Sequence, residues 1–593
     1  LYKPVKPPQA QGNSALSLFS KGGENKRDLS QLLDPKYALK IINYLITSDG
    51  GLKKREGATE LADTTGTAGT MLEQFTPDIL MLGYDTTLAA YEISSATLTV
   101  IKADFIEVGM EGAKYGDYFF VASGGDRIGR VSQTLAYDAQ ASNFTVGAVL
   151  TGGTSGATAV ILQDADAGAT GTLTLGSISG VFVDNEALTD SSGGAATANG
   201  AVTFAYAAIS AAPYARRLKV FGSRLVSGQL RDNPFSVRYS EVDSGTNPPF
   251  SSWSNGTLAT DGGLVSYRNA GDVQSIDSLG NTIIVFGSSG KWAFTIDTLD
   301  VGGTQRKFDT PVIYRQDFGG FRGSISTPRG LFYVNEAGLW QLTSVGQPNI
   351  PFSDQEGLAT LLLGIDFFTD IDLSNTSLAY DKRLNTLFIA CARSSESDNL
   401  ILAYNVDQKA VSELHGLSMS RLLITEDAAY SFSSVDGLVY SLFDGYSDNG
   451  ADIWTEFYTE LKAGELETRQ MLLGTYIQGI FSLSTELRIC YDIFDVKGNF
   501  IPDKLCQRWL PNDSVSPQNG WGVEGWGEDA FGGDISNGGT MIESFSGARN
   551  YIRNFQRIRV RITGHDQLPH ELNWVKLQFR KQIPIRRRNL IKQ

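Results

Sequence analysis

Leu279-Gly-Asn-Thr-Ile-Ile-Val-Phe-Gly-Ser-Ser-Gly-Lys-Trp292, Pro328-Arg-Gly-Leu-Phe-Tyr-Val-Asn-Glu-Ala-Gly-Leu-Trp340 and Ala428-Ala-Tyr-Ser-Phe-Ser-Ser-Val-Asp-Gly-Leu-Val-Tyr440 share one plan. Each has an apolar run of strand length, a polar turn with glycine, and a second strand opened by an aromatic or aliphatic residue. The first two lie about 50 residues apart and the last two about 100. The span from Ser377 to Leu414, with Leu387-Phe-Ile-Ala390 and Leu400-Ile-Leu-Ala-Tyr404, supplies the missing unit. A period near 50 suits a propeller blade, four short strands whose faces are buried only when neighbours stack. Counting from Thr76 predicts a mainly β chain built on a β-propeller of about six blades. It carries no WD or kelch signature, and a set of β-sandwiches is the alternative.

Upstream, Ile79-Leu-Met-Leu82, Tyr118-Phe-Phe-Val-Ala122 and Leu218-Lys-Val-Phe221 continue the rhythm. It is interrupted between Asn143 and Phe204, inside a stretch from Val131 to Ala215 that has no Lys or Arg. There Phe144-Thr-Val-Gly147, Thr172-Leu-Thr-Leu175 and Val181-Phe-Val183 alternate small and apolar residues. That favours a small inserted β module over a flexible linker. In the N-terminal region, Leu32, Leu33, Ala38, Ile41, Ile42 and Leu45 fall at helical spacing and predict a helix over 28–45. Toward the C-terminus, Ile558, Val560 and Ile562 alternate with Arg557, Arg559 and Arg561 as in a half-buried strand, and Trp574–Phe579 reads as another strand. The stretch Asn519–Gly539 reads as a long loop. The expected organisation is therefore an N-terminal arm with a short helix (1–75), first blades (76–142), the inserted module (143–204), the remaining blades (205–445), and a C-terminal β-rich domain with a basic tail (446–593).

Composition narrows the function. Among the 593 residues 41% are hydrophobic and 19% charged, which describes a folded chain, and 64 glycines imply many turns. The formal charge of −15 argues against a free-standing duplex DNA binder, whose affinity depends on Lys and Arg neutralising phosphates. It does not exclude a protein that lies beside DNA and avoids sticking to it. Cys391, Cys490 and Cys506 are too few for a disulfide scaffold, so all three are expected reduced and buried. Leu1-Tyr-Lys-Pro-Val-Lys-Pro-Pro8 is followed by no apolar core of a signal peptide, and no run of about 18 apolar residues occurs. The expectation is synthesis in a cytoplasm and no membrane span.

Chemistry-bearing patterns are weak. Gly287-Ser-Ser-Gly-Lys-Trp292 lacks the spacing and the following helix of a phosphate loop and reads as a hairpin. His565 and His570, beside Asp566 and Glu571, fall short of the three or four converging donors of a metal site and read as exposed turn residues. His415 after Glu413 reads as a satisfied polar residue. Asp164, Asp166 and the acids from Asp444 to Asp452 lack the closing Glu of a calcium loop. No catalytic residue, metal ligand or cofactor is predicted. The tail holds six positive residues between Arg580 and Lys592. It is either a solvated terminus or a docking segment, with Arg580, Lys581, Arg586, Arg587 and Arg588 as the candidate subunit contacts.

Ala38-Leu-Lys-Ile-Ile-Asn-Tyr-Leu-Ile-Thr-Ser-Asp-Gly-Gly-Leu-Lys-Lys-Arg-Glu-Gly57 resembles the opening of nozzle proteins (tail tubular protein B) of short-tailed bacteriophages. In that family an apolar block precedes an Asn, here Asn43. A basic-Gly turn, here Lys54-Arg55-Glu56-Gly57, then leads into the first blade, with Glu56 where Pro is commoner. Gln74–Tyr84, Gly116–Ala122, Ala215–Leu225 and Val237–Glu241 are similar to the same family. The resemblance implies a non-enzymatic virion protein assembled in the host cytoplasm. It implies a homo-oligomeric ring of six copies, below the adaptor protein and near tail fibre, tailspike or tail-tip proteins. That ring would continue the channel through which genomic DNA is retained and ejected, without sequence-specific binding. The alternative is a propeller glycosidase or carbohydrate-binding protein, which would need opposed carboxylates in a central pocket.

Overall fold

The computed structural model describes residues 23–24, 37–245, 248–301, 304–308, 312–315, 323–336, 338–347, 350–359, 371–393, 400–416, 419–433, 435–462, 469–481, 485–495, 499–509, 539–544, 553–568 and 570–582. The chain is nearly all β. Among the described residues the one helical element is a single 3-10 turn, Arg268–Ala270.

Seven four-stranded antiparallel sheets follow one another along the chain, where about six were expected. Their first strands are Gly69–Thr76, Glu111–Tyr115, Ala215–Phe221, Val273–Leu279, Ser324–Thr327, Ile371–Asp381 and Arg421–Ile424. Each of these strands touches the next, and Arg421–Ile424 touches Gly69–Thr76, so the circle closes. The seventh sheet joins distant parts of the chain. Three of its strands are Arg421–Ile424, Ala429–Phe432 and Leu438–Leu442, but the fourth is Ala58–Asp63, drawn from the N-terminal arm. A lone strand more than 350 residues from its partners leaves no local signal of membership.

Each neighbouring pair of sheets shares its own apolar core. Met81 and Phe119 meet between the first and second sheets, and Phe120, Leu218 and Trp253 between the second and third. Val237 and Trp292 lie between the third and fourth, and Phe286 and Tyr333 between the fourth and fifth. Phe332 with Leu387, Phe388 with Leu442, and Phe432 with Leu80 complete the circle. Fully burying one such Leu or Phe is worth about 1.5–3 kcal/mol, so no sheet holds its fold without its neighbours.

The inserted module is a closed six-stranded barrel. Its strands are the distal half of Gly129–Ser142, then Gly171–Ser179, Thr158–Asp166, Val149–Gly152, Ala187–Asp190 and Ala195–Ala198, which pairs back to the first. Leu135, Leu150, Ile161, Leu173 and Leu188 fill it. The boundary lies inside a strand and not at Asn143. Gly129–Ser142 starts in the second sheet, paired with Thr203–Ala208, and runs on into the barrel.

After the seventh sheet the chain forms a sandwich that is nearly closed. One layer orders Lys40–Ile42, Ala451–Lys462, Arg553–Asp566, Leu487–Asp495 and Phe500–Trp509. The other orders Tyr44–Ile46, Leu52–Lys54, His570–Gln582, Arg469–Phe481 and Gly539–Ser544. Ile558, Val560 and Ile562 point into its core, as their alternation required. The long loop expected over 519–539 lies outside the described residues up to Gly539, where a strand begins.

The expected N-terminal helix is corrected over its described part. Residues 37–46 form the short strands Tyr37–Ala38, Lys40–Ile42 and Tyr44–Ile46, and 28–36 lie outside the described residues. The segment is wedged between two bodies. Ile41, Tyr44 and Ile46 enter the sandwich core, while Leu45 enters the core between the sixth and seventh sheets. Apolar residues on both faces of a strand imitated helical spacing. Asn43, at φ 57°, supplies the reversal between the strands, a left-handed conformation that Asn tolerates.

Candidate functional site

The circle of first strands encloses a cavity of about 390 Å3, lined from all seven sheets. In each first strand alternate side chains face this centre, so every sheet contributes a few residues to one small space. Lys219 Nζ lies 3.0 Å from Asp277 Oδ1, and Asp277 is 2% exposed. The Asp277 charge is the main cause that holds Lys219 above the usual lysine range. Arg421 Nε donates to the Thr70 carbonyl at 2.9 Å and Nη2 to Asn375 Oδ1 at 3.2 Å, which ties the sixth, seventh and first sheets together. Ser275 and Ser324 join their hydroxyls at 2.7 Å across the fourth and fifth. Glu111 lies 3.5 Å from Arg217 Nη1.

Glu73 differs. It makes no hydrogen bond or ion pair with any described residue. Its side chain is half-buried and lines this cavity. Desolvation pushes its carboxyl up to about 7, with Lys219 pulling down and Glu111 pushing up. A carboxyl that titrates near neutrality inside a polar cavity can exchange protons or bind a cation. Strand reading missed Glu73, Lys219 and Asp277, because a charge between apolar neighbours in a strand usually marks a solvent face.

A second polar cluster is structural. Arg55, 4% exposed, donates through Nε to Asn43 Oδ1 at 2.9 Å, through Nη2 to the His415 carbonyl at 2.8 Å, and through Nη1 to Asp448 Oδ1 at 2.7 Å. Asn43 in turn accepts from the His415 amide at 2.8 Å and donates to the Trp454 carbonyl at 2.6 Å. A Cβ on Gly57 would stand 1.9 Å from the Ser447 carbonyl oxygen, so only glycine fits.

The candidate contact residues Arg580 and Lys581 fall on the strand His570–Gln582, opposite Met471 and Gln470. Their side chains, and all of Arg586, Arg587 and Arg588, lie outside the described residues. The two histidines do not converge. His565 is exposed beside Trp454, whereas His570 is 3% exposed with Nε2 2.9 Å from the Tyr44 hydroxyl, which corrects its expected exposure. His415 Nε2 lies 3.1 Å from Glu413 Oε2. Gly287–Trp292 is a hairpin turn running into its second strand, as read. Asp164 accepts from the Tyr137 hydroxyl at 2.9 Å and Asp166 from the Gly168 amide at 2.7 Å, both local turn and barrel contacts. Arg559 lies among the rings of Tyr458, Phe494 and Phe500, and Arg561 pairs with Asp503, so both are engaged within their own sheet. The cysteine expectation is corrected for two of the three residues. Cys490 and Cys506 face each other across Leu487–Asp495 and Phe500–Trp509 with Cα atoms 4.1 Å apart and form a disulfide, while Cys391 is buried and outside any disulfide, as expected. Among the described residues no helix is long and apolar enough to cross a membrane.

No family model matches the chain, and no curated protein matches it in sequence. Among solved structures, the computationally designed protein Ika8 is similar at 11% identity and TM-score 0.31, over 65% of this chain and 99% of that one. The extracellular domain of a hybrid two-component system from B. thetaiotaomicron is similar at 11% identity and TM-score 0.35, over 69% of this chain and 46% of that one. Kluyveromyces lactis Hsv2 is similar at 10% identity and TM-score 0.23, over 58% and 97%. Likenesses this distant assign neither a fold family nor a role.

Proposed function

We propose that this chain is a wall subunit of a short-tailed phage nozzle, a seven-bladed β-propeller joined to a β-sandwich. On this reading about six copies close head to tail into a ring below an adaptor protein, with tail fibre, tailspike or tail-tip proteins nearby, and genomic DNA passes through. One observation carries it. Asn43 and Lys54-Arg55-Glu56-Gly57, on which the resemblance to nozzle proteins rests, sit at the buried joint between the circle of sheets and the sandwich. A motif at that place locks two bodies into one stiff unit, which a channel wall under the load of moving DNA requires. The formal charge of −15 favours a lumen that repels phosphates. Negative-stain microscopy of the purified full chain, alone and with a neighbouring tail protein, tests the reading. Rings with a central hole are expected; compact monomers under both conditions would overturn it.

A second reading, a carbohydrate-active propeller, draws on the carboxylates of Glu73, Glu111 and Asp277 around one cavity. Two of these three are already ion-paired, which favours the first reading. Turnover of host polysaccharides, lost in Glu73→Gln, would reverse that preference.

A further inference from the structure

We infer that the central cavity is a binding site for a compact primary ammonium ion, with the Glu73 carboxylate as its counter-ion. The cavity, about 390 Å3, falls within the range of small-ligand sites. The cations that approach its wall are spoken for: Lys219 by Asp277, Arg217 by Glu111, and Arg421 by the Thr70 carbonyl and Asn375. What remains unfilled is acceptor capacity. Glu73 has no direct partner among the described residues, and the hydroxyl of Thr376, a lining residue only 1% exposed, also has none. Arg217 answers Glu111 and Lys219 answers Asp277, which leaves Glu73 as the lining carboxylate with no cation within ion-pair distance among the described residues.

A primary ammonium ion brings one positive charge and three N–H donors, the complement of that deficit. A neutral polyol brings no charge, and an anion would meet the Glu73 carboxylate. A carboxylate half-buried in protein loses part of its hydration, and an ammonium partner offsets that loss.

Because the ligand needs Glu73 ionised, binding is tied to pH. Lys219, Asp277, Glu111 and Arg421 line the same cavity from the other first strands, and Glu73 is the carboxyl that burial pushes toward neutrality. With its carboxyl at about 7, affinity should fall roughly 30-fold from pH 8 to pH 5.5 as the ionised fraction drops. Ligand-observed NMR titration of the full chain with n-propylammonium chloride tests this. Saturable binding at pH 8 is expected, with a Kd of roughly millimolar order, weakened as stated at pH 5.5. It should be lost in Glu73→Gln and weakened several-fold in Thr376→Val. No saturable binding to the wild-type chain at pH 8 would overturn the inference, and so would binding that ignores pH in the wild type or survives Glu73→Gln in a folded variant. The site does not depend on the nozzle reading. Rings without amine binding, or amine binding without rings, separate the two failures.

Discussion

Glu73, half-buried at the central cavity, and Arg55, buried at the joint, are both ionisable, and they meet opposite fates. Arg55 has Asn43, Asp448 and a carbonyl within hydrogen-bond reach, so its charge is compensated where it sits. Glu73 has none of these, and desolvation raises its carboxyl from 4.5 to about 7. The sign of the consequence follows from proton counting. Between pH 4.5 and 7 the folded chain holds a proton that the unfolded chain has released, so this group's contribution to stability is full below pH 4.5 and lost as pH rises through 7. Glu73→Gln removes the titration. The variant should match the wild type near pH 4.5 and exceed it at pH 8 by up to ~3 kcal/mol, less where cavity water solvates the carboxylate. Urea unfolding at both pH values measures it, and an equal difference at both would refute the assignment.

At the scale of elements, the long strand Gly129–Ser142 serves two cores. Its first half belongs to the second sheet and its second half to the barrel. Thr134 and Thr203 stand opposite each other where the two meet. A two-residue Asn-Gly turn between them can therefore replace Leu135–Val202 and close the hairpin. The barrel's core draws on Leu135, Tyr137, Phe144 and residues beyond, and on none from the other sheets. The shortened chain should keep its far-ultraviolet β signature and melt within a few degrees of the parent. A collapse of the remaining β signal would mean that the barrel supports the circle after all.

For the whole molecule the decisive region is residues 37–63. Ala58–Asp63 completes the seventh sheet, while Lys40–Ile42 and Leu52–Lys54 extend the two layers of the sandwich. One short segment thus closes a ring and staples a second domain to it. Arg55 sits at the joint, its side chain 5% exposed and that of Asp448 10%. Arg55→Ala would leave Asp448 enclosed and unpaired, which costs about 3–5 kcal/mol. Calorimetry should show the wild-type transition lowered and split, with the sandwich and the circle melting apart. A single transition at an unchanged temperature would show that the joint does not couple them.

Repetition of strand, glycine turn and strand is local, so the β class, the run of short sheets and the inserted module were legible from residues such as Ile283–Phe286 and Leu331–Val334. The alternation of Ile558, Val560 and Ile562 likewise depends only on which face of a strand is dry. What needed tertiary structure was whatever joins distant residues. Ala58–Asp63 belongs to a sheet whose other strands begin at Arg421. Cys490 and Cys506 sit opposite each other only because two strands pair in that register. Glu73, Lys219 and Asp277 form a cavity because strands from separate sheets converge. Periodicity reports the environment of one strand, and a closed circle with a charged centre arises only from how many strands meet and in what order.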